Sequence, residues 1–122
     1  MIIGIGTDII EIERVRQAVE REIFKQKVFT QAEQNYCESR GKQKFASYAA
    51  RFAAKEAFFK AIGTGIFTKL TEVEVKNNLQ GQPEIFLSGA AEKFFVDNGG
   101  GKIFLSLSHS KDFATAVCIL ES

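Results

Sequence analysis

Residues 43–62 read QKFASYAARFAAKEAFFKAI, the densest run of small and aromatic side chains in the chain. Ala46, Ala49, Ala50, Ala53, Ala54, Ala57 and Ala61 interleave with Phe45, Tyr48, Phe52, Phe58 and Phe59. A helix built from them is apolar around most of its girth, so it must be central and closely packed on several sides. Gly63 and Gly65 end it. One residue resists this reading. Phe45, Ala49, Phe52 and Phe59 form a stripe at steps of three and four, and Glu56 falls in the middle of it. A carboxylate there is costly unless it is paired or binds a metal. Lys55 or Lys60 could tether it as a structural pair. Lys60, one turn on, is also placed to share a substrate with it.

Upstream of this helix, Thr30 and Glu33 have capping-box spacing and open a short helix through Tyr36. Ile2 to Gly6 is a short apolar run, the mark of a buried strand. Asp8 and Glu11 repeat the capping-box spacing, and Ile12, Val15, Val19 and Ile23 follow at helical intervals, so one first helix is expected to begin at Asp8. Downstream, Thr71 to Lys76 alternates polar and apolar residues as a half-buried strand does. Gly81 marks a turn, Glu84 to Leu87 is a second strand, and Ala90 to Val96 is helical, closed by Asn98 and three glycines. Two more strands, Ile103 to Leu107 and Phe113 to Leu120, flank the polar loop Ser108-His109-Ser110-Lys111-Asp112. The order β-α-α-α-β-β-α-β-β predicts an α+β fold, a largely antiparallel sheet packed on the long central helix.

The 122 residues suit a single domain, 1–122. With 45% hydrophobic and 25% charged residues the composition is that of an ordinary globular protein. A formal net charge of +1 gives no support to nucleic-acid binding. No apolar run approaches the ~20 residues of a membrane span, and no signal peptide precedes the first strand. Cys37 and Cys118 form no CxxC or Cys/His cluster, which argues against zinc and fits reduced thiols in the cytoplasm.

Several residues carry two readings. Asp8 follows Gly4-Ile5-Gly6-Thr7, where the glycines suggest close backbone approach, yet a helix N-cap alone would justify an Asp. A dinucleotide fingerprint fails because Ile9 stands where the third glycine belongs, and no P-loop lysine pattern is present. His109, the only histidine, sits among serines whose donors suit a phosphate. A triad with Asp112 would crowd one hairpin, whereas triads draw on separated elements. Arg14, Arg21 and Lys25 share a face of the first helix at steps of seven and four, either a solvated charged face or a dock for an acidic partner.

Taken together, Gly4-Ile5-Gly6-Thr7-Asp8-Ile9-Ile10-Glu11-Ile12, the run from Arg51 to Ile66 with its K-E-A-x-x-K-A core, and Leu105-Ser106-Leu107-Ser108-His109-Ser110 resemble the short, trimeric holo-acyl-carrier-protein synthases of the 4′-phosphopantetheinyl transferase superfamily over nearly the whole chain. Phe29-Thr30 with Glu33, and Gly81-Gln82-Pro83, agree as well. The resemblance implies an enzyme of fatty acid biosynthesis that moves 4′-phosphopantetheine from coenzyme A to a serine of apo acyl carrier protein. It implies that Asp8 and Glu56 hold Mg2+ and that Lys60 contacts phosphate and helps the leaving group. Lys44, Arg51, Pro83, Ser108, His109 and Ser110 would lie along the coenzyme A surface. Arg14, Arg21 and Lys27 would meet the acidic helix of the carrier, and the assembly would be a homotrimer. Two other readings compete: a different magnesium-dependent nucleotide phosphotransferase, against which the missing P-loop argues, and a non-catalytic trimeric adaptor for carrier proteins, which would need no carboxylate in the Phe52/Phe59 stripe.

Overall fold

In the computed structural model, which describes Met1–Ser122, the Ala/Phe-rich stretch is a single 19-residue helix. In chain order the elements are β1 (Ile2–Glu11), α1 (Ile12–Val19), α2 (Glu22–Val28), α3 (Gln31–Glu38), α4 (Lys44–Ile62), β2 (Val73–Asn77), β3 (Pro83–Leu87), α5 (Gly89–Asp97), β4 (Lys102–His109) and β5 (Phe113–Glu121). Short 3₁₀ turns occupy Gly41–Gln43 and Leu70–Glu72. All strand pairings are antiparallel, in a three-stranded sheet of order β1-β5-β4 and a hairpin β2-β3. The expected α+β class, antiparallel strands about a long helix, is what the chain adopts.

Helix α4 is central because its composition leaves it no exposed face. Twelve of its 19 residues are buried, Ala49, Ala53, Ala54, Ala57 and Phe58 completely. Burying a Phe such as Phe58 contributes about 2–3 kcal/mol. The helix stops at Gly63, whose φ of 81° is the left-handed conformation that glycine tolerates best. On one side it packs with β2, α5 and the inner face of β5 (Ala116, Cys118, Leu120). On another it packs with Val15 and Val19 of α1, Val28, Phe29 and Cys37. Burial pushes both thiols, Cys37 and Cys118, up to about 12, so neither is a ready nucleophile. No helix is long and apolar enough to cross a membrane.

The N-terminal region departs from expectation. Asp8 does not cap a helix. β1 runs on to Glu11, pairing Asp8 with Ala116 of β5 in a register that holds from Gly4 to Glu11, and α1 starts only at Ile12 with no side-chain cap. The ladder satisfies the backbone groups that a cap would have served, so tertiary pairing overrides the local signal. The single first helix is in fact two. It breaks at Glu20 and Arg21, Arg21 being extended (φ −87°, ψ 114°), and Ile23, expected in the apolar stripe, is 73% exposed. The Thr30/Glu33 capping box forms as expected, with both reciprocal bonds.

Candidate active site

Alternation along β1 turns Gly4, Gly6 and Asp8 to the same face, toward α4. A Cβ at Gly4 would overlap the carbonyl oxygen of Ala61, and one at Gly6 the carbonyl oxygen of Ala57, with Ala61 N only 2.6 Å away. The strand lies directly on the helix backbone because these two positions carry no side chain. Asp8 is the next residue on that face and the first of the three with a side chain. Its Oδ1 accepts a hydrogen bond from Lys60 Nζ at 3.1 Å, across 52 residues of sequence. Glu56 lies one helical turn before Lys60. Its carboxyl is pushed above the usual range, first by burial and second by the negative charge of Asp8, while Lys60 pulls the other way.

Two carboxylates and one ammonium therefore share a patch that is half open: the Lys60 side chain is 55% exposed and that of Asp8 14%. Lys60 bonds Asp8 and leaves Glu56 without an ion-pair partner, so neither tether considered from the sequence holds Glu56. No group of three or more His, Cys, Asp or Glu side chains is arranged to hold a metal. Two carboxylate oxygens at an open surface suit a hard cation that fills its shell with phosphate oxygens and water, as magnesium does.

Beside this patch lies a cleft of about 400 Å3 lined by Ile10, Arg14, Arg21, Phe24 and Phe52, among others. Arg14 on α1 and Arg21 at the break before α2 do converge. Between them is an apolar floor, Phe24 and Phe52, whose rings sit 6.0 Å apart. Lys27 is exposed on α2, and Lys25 is taken up by Glu22 at 3.3 Å.

The remaining predicted residues are elsewhere. Arg51 is buried, stacked 4.2 Å from the Tyr36 ring, with one nitrogen 3.4 Å from Asn77 Oδ1 and its Nε unpartnered. Pro83 is near it, since Pro83 pairs with Asn77. Nine residues separate Arg51 from Lys60, half a revolution of the helix, so the two face opposite ways. Lys44 is bound to Glu38 at 2.8 Å, about 24 Å along the helix from Lys60. The Ser108-His109-Ser110 side chains do not form one donor set. His109 and Ser110 line a roomier cleft, about 840 Å3, with Arg16, Lys42 and Lys111. Ser108 is exposed outside that lining, and Ser110 closes the β4–β5 turn against Phe113. The roomier cleft is thus not where the two carboxylates meet.

One residue beside the site was missed. Lys55 is fully buried and bonded to Glu33 (2.9 Å) and to the carbonyls of Leu70 (3.0 Å) and Val73 (2.7 Å). The signal was available: Tyr48, Lys55 and Phe59 lie on a stripe at steps of seven and four, and all three are buried.

The matches to known proteins fit this geometry. Residues 4–118 match the model of the 4′-phosphopantetheinyl transferase superfamily. The holo-[acyl-carrier-protein] synthase of Ruminiclostridium cellulolyticum is 46% identical over 120 residues, covering 95% of this chain and 90% of that protein. The crystal structure of the Neisseria meningitidis holo-[acyl-carrier-protein] synthase superposes with a TM-score of 0.91 at 32% identity, over all of both chains. That of the Bacillus anthracis enzyme, in complex with CoA (3′,5′-ADP), does so with a TM-score of 0.83 at 38% identity, over 100% of this chain and 98% of that one. Matched over residues 4–118 and 46% identical to a holo-[acyl-carrier-protein] synthase over nearly its whole length, the chain belongs to the 4′-phosphopantetheinyl transferase superfamily, among the holo-[acyl-carrier-protein] synthases.

Proposed function

We propose that Asp8, Glu56 and Lys60 carry the transfer of 4′-phosphopantetheine from coenzyme A to a serine of apo acyl carrier protein, giving holo acyl carrier protein and adenosine 3′,5′-bisphosphate. The observation that carries this reading is the convergence of Asp8 and Lys60 from the two ends of the strand–helix contact, with Glu56 beside them. A new P–O bond forms from the serine oxygen to the phosphorus next to pantetheine. The bond from that phosphorus to the bridging oxygen breaks, and the electron pair leaves on the adenosine bisphosphate. The serine proton needs an acceptor, and Glu56, held above the usual carboxylate range, has the higher proton affinity that suits it. Lys60 is exposed enough to meet a phosphate oxygen as its charge grows. Asp8 and Glu56 would hold magnesium, which when bound neutralises charge on the diphosphate.

Arg14 and Arg21, with Lys27 further along α2, would dock the acidic helix of the carrier protein on the adjacent cleft. Relatives bound to coenzyme A support that donor: the Bacillus anthracis enzyme, and that of Helicobacter pylori, 27% identical with a TM-score of 0.84 over 96% of this chain and 99% of that one. Lys44, Arg51, Pro83, Ser108, His109 and Ser110 would lie along the coenzyme A surface. Within one protomer they do not surround Asp8 and Glu56. A homotrimer would resolve this, with a neighbour's residues completing each site. The outer face of the three-stranded sheet supports self-association: Ile5 and Ile9, each 63% exposed, lie beside Val117, Phe113 and Phe104 on one apolar surface. We place this single-domain enzyme in the cytoplasm, in fatty acid biosynthesis.

The decisive test incubates the protein with coenzyme A, magnesium and an apo carrier protein and weighs the carrier. A gain of one phosphopantetheine is expected; a carrier bound but unmodified would favour the adaptor. The shared site is tested by mixing an Asp8→Asn protein with a His109→Ala protein. Activity should return after subunit exchange, and an active monomer would overturn the trimer.

A further inference from the structure

We infer that the buried Lys55–Glu33 pair is the positioning device of the site, fixing the rotation of α4 that presents Glu56 to Asp8; this rests on the roles just given to those two carboxylates. Lys55 and Glu56 are consecutive on α4, so their side chains leave the helix about 100° apart. One is locked into the interior, and the other is delivered to the patch.

Every polar group of the lock is satisfied. Lys55 Nζ donates to Glu33 Oε1, Leu70 O and Val73 O. Glu33 Oε1 also accepts from Thr30 N at 2.9 Å, and Oε2 accepts from Val75 N at 2.8 Å. The pair thereby ties α4 to the start of α3, to the Leu70–Glu72 turn and to β2. It also anchors the return of the chain segment 63–69, which leaves α4 just past Lys60 and re-enters at Leu70. That segment is held further by Phe67 on Phe59 (5.8 Å) and by Thr68 on Glu72 (2.9 Å).

On the β1 side of α4 the one side-chain bond is that of Lys60 to Asp8, at the half-open patch itself. Otherwise Gly4 and Gly6 lie on Ala57 and Ala61 by close packing, which resists separation but resists rolling less. Rolling α4 by about 15° would sweep a carboxylate carried about 6 Å from its axis through about 1.5 Å. A displacement of about 1 Å is enough to cost a reaction about 100-fold. Three hydrogen bonds fanning from one ammonium to three different segments oppose that roll.

The test uses the full chain with Glu33→Gln, which keeps the shape but sets an NH2 group against the Thr30 or Val75 N–H, and with Lys55→Met. Mn2+ binding in the presence of coenzyme A is read by electron paramagnetic resonance, alongside kcat and KM for the carrier, well below the melting temperature. In a folded variant of unchanged assembly mass, Mn2+ binding should weaken about tenfold. The kcat should fall while the carrier KM stays within about twofold, since the arginine cleft does not touch the pair. Wild-type Mn2+ binding and kcat in a folded variant overturn the proposal. So does failure of both variants to fold, because the pair would then hold the whole fold rather than the site. Glu56→Gln is the control: if it binds Mn2+ as well as wild type, the metal assignment fails, and the pair stands or falls on kcat alone.

Discussion

Helix α4 carries two sets of opposite charges, and they differ in what is left over. At Lys55 and Glu33 both side chains are 0% exposed, and every donor and acceptor has a partner inside the protein. At the patch of Lys60, Asp8 and Glu56 the Lys60 side chain is half exposed, Glu56 has no ion-pair partner, and its carboxyl is raised by burial and then by the charge of Asp8. The closed set has nothing to offer a ligand. The open set holds uncompensated negative charge next to an exposed ammonium, the condition in which a cation and a phosphate both gain by arriving.

The largest effect should come from removing that surplus. Glu56→Gln is expected to lower transfer about 10³-fold, with the far-ultraviolet circular dichroism unchanged. Lys55→Met, by contrast, should cost about 3–5 kcal/mol of stability, because it strands Glu33 uncompensated. If Glu56→Gln kept near-normal turnover, the open set would have no catalytic meaning.

A next test separates the strand from the helix without touching a charge. Gly6→Ala puts a methyl group into the carbonyl of Ala57 and must push β1 off α4. The expected loss is about 1–3 kcal/mol of stability and about 100-fold in kcat as Asp8 is displaced from Glu56. The Lys55–Glu33 bonds lie on another side of α4 and should survive, as slow amide exchange at Val75 would report. Unchanged kcat in Gly6→Ala would mean that Asp8 need not be held close.

How far the sequence revealed these sets follows from what each depends on. The central helix was legible because its composition leaves it no solvent face. Asp8, Glu56 and Lys60 were legible as motif members, Glu56 also as an intruder in an apolar stripe. The course of Asp8 was not: its spacing to Glu11 is that of a cap, and only pairing with Ala116 makes it a strand residue. The break at Arg21 was hidden for a similar reason, since Ile23 keeps helical spacing while pointing to solvent. Lys55 was read only as a tether for Glu56, and its pairing with Glu33 was missed because Glu33 already had a sufficient local role in the capping box. Nothing in the spacing says that its carboxylate also spans α4 and β2.

The docking surface is expected to follow the open set. Arg14→Glu and Arg21→Glu should each raise the carrier KM about tenfold, less at high salt, and leave coenzyme A binding unchanged. Lys93→Glu, on α5 and paired only with Asp97, should leave the carrier KM alone. Equal effects from all three would reduce the arginine cleft to general electrostatics.

The smallest effect is also the most direct reading of the surplus charge. In metal-free protein, Glu56 is held above its ordinary 4.5 by burial and then by Asp8. A carboxyl raised in the folded state favours folding below its unfolded value, where it is protonated in both states. That contribution is lost as pH rises through the folded value, where ionisation is opposed only in the fold. Wild type and Glu56→Gln should therefore melt together below about pH 4.5, and the variant should become the more stable one as the pH rises above it. Solvent screening at this partly exposed site keeps the gap small. Magnesium with coenzyme A should then reverse the order, stabilising wild type and not the variant, because the charge that costs stability alone is the charge that binds the cation. A Glu56→Gln protein less stable than wild type at every pH in the absence of metal would show that Glu56 belongs with Lys55 and Glu33, as part of what holds the protein together.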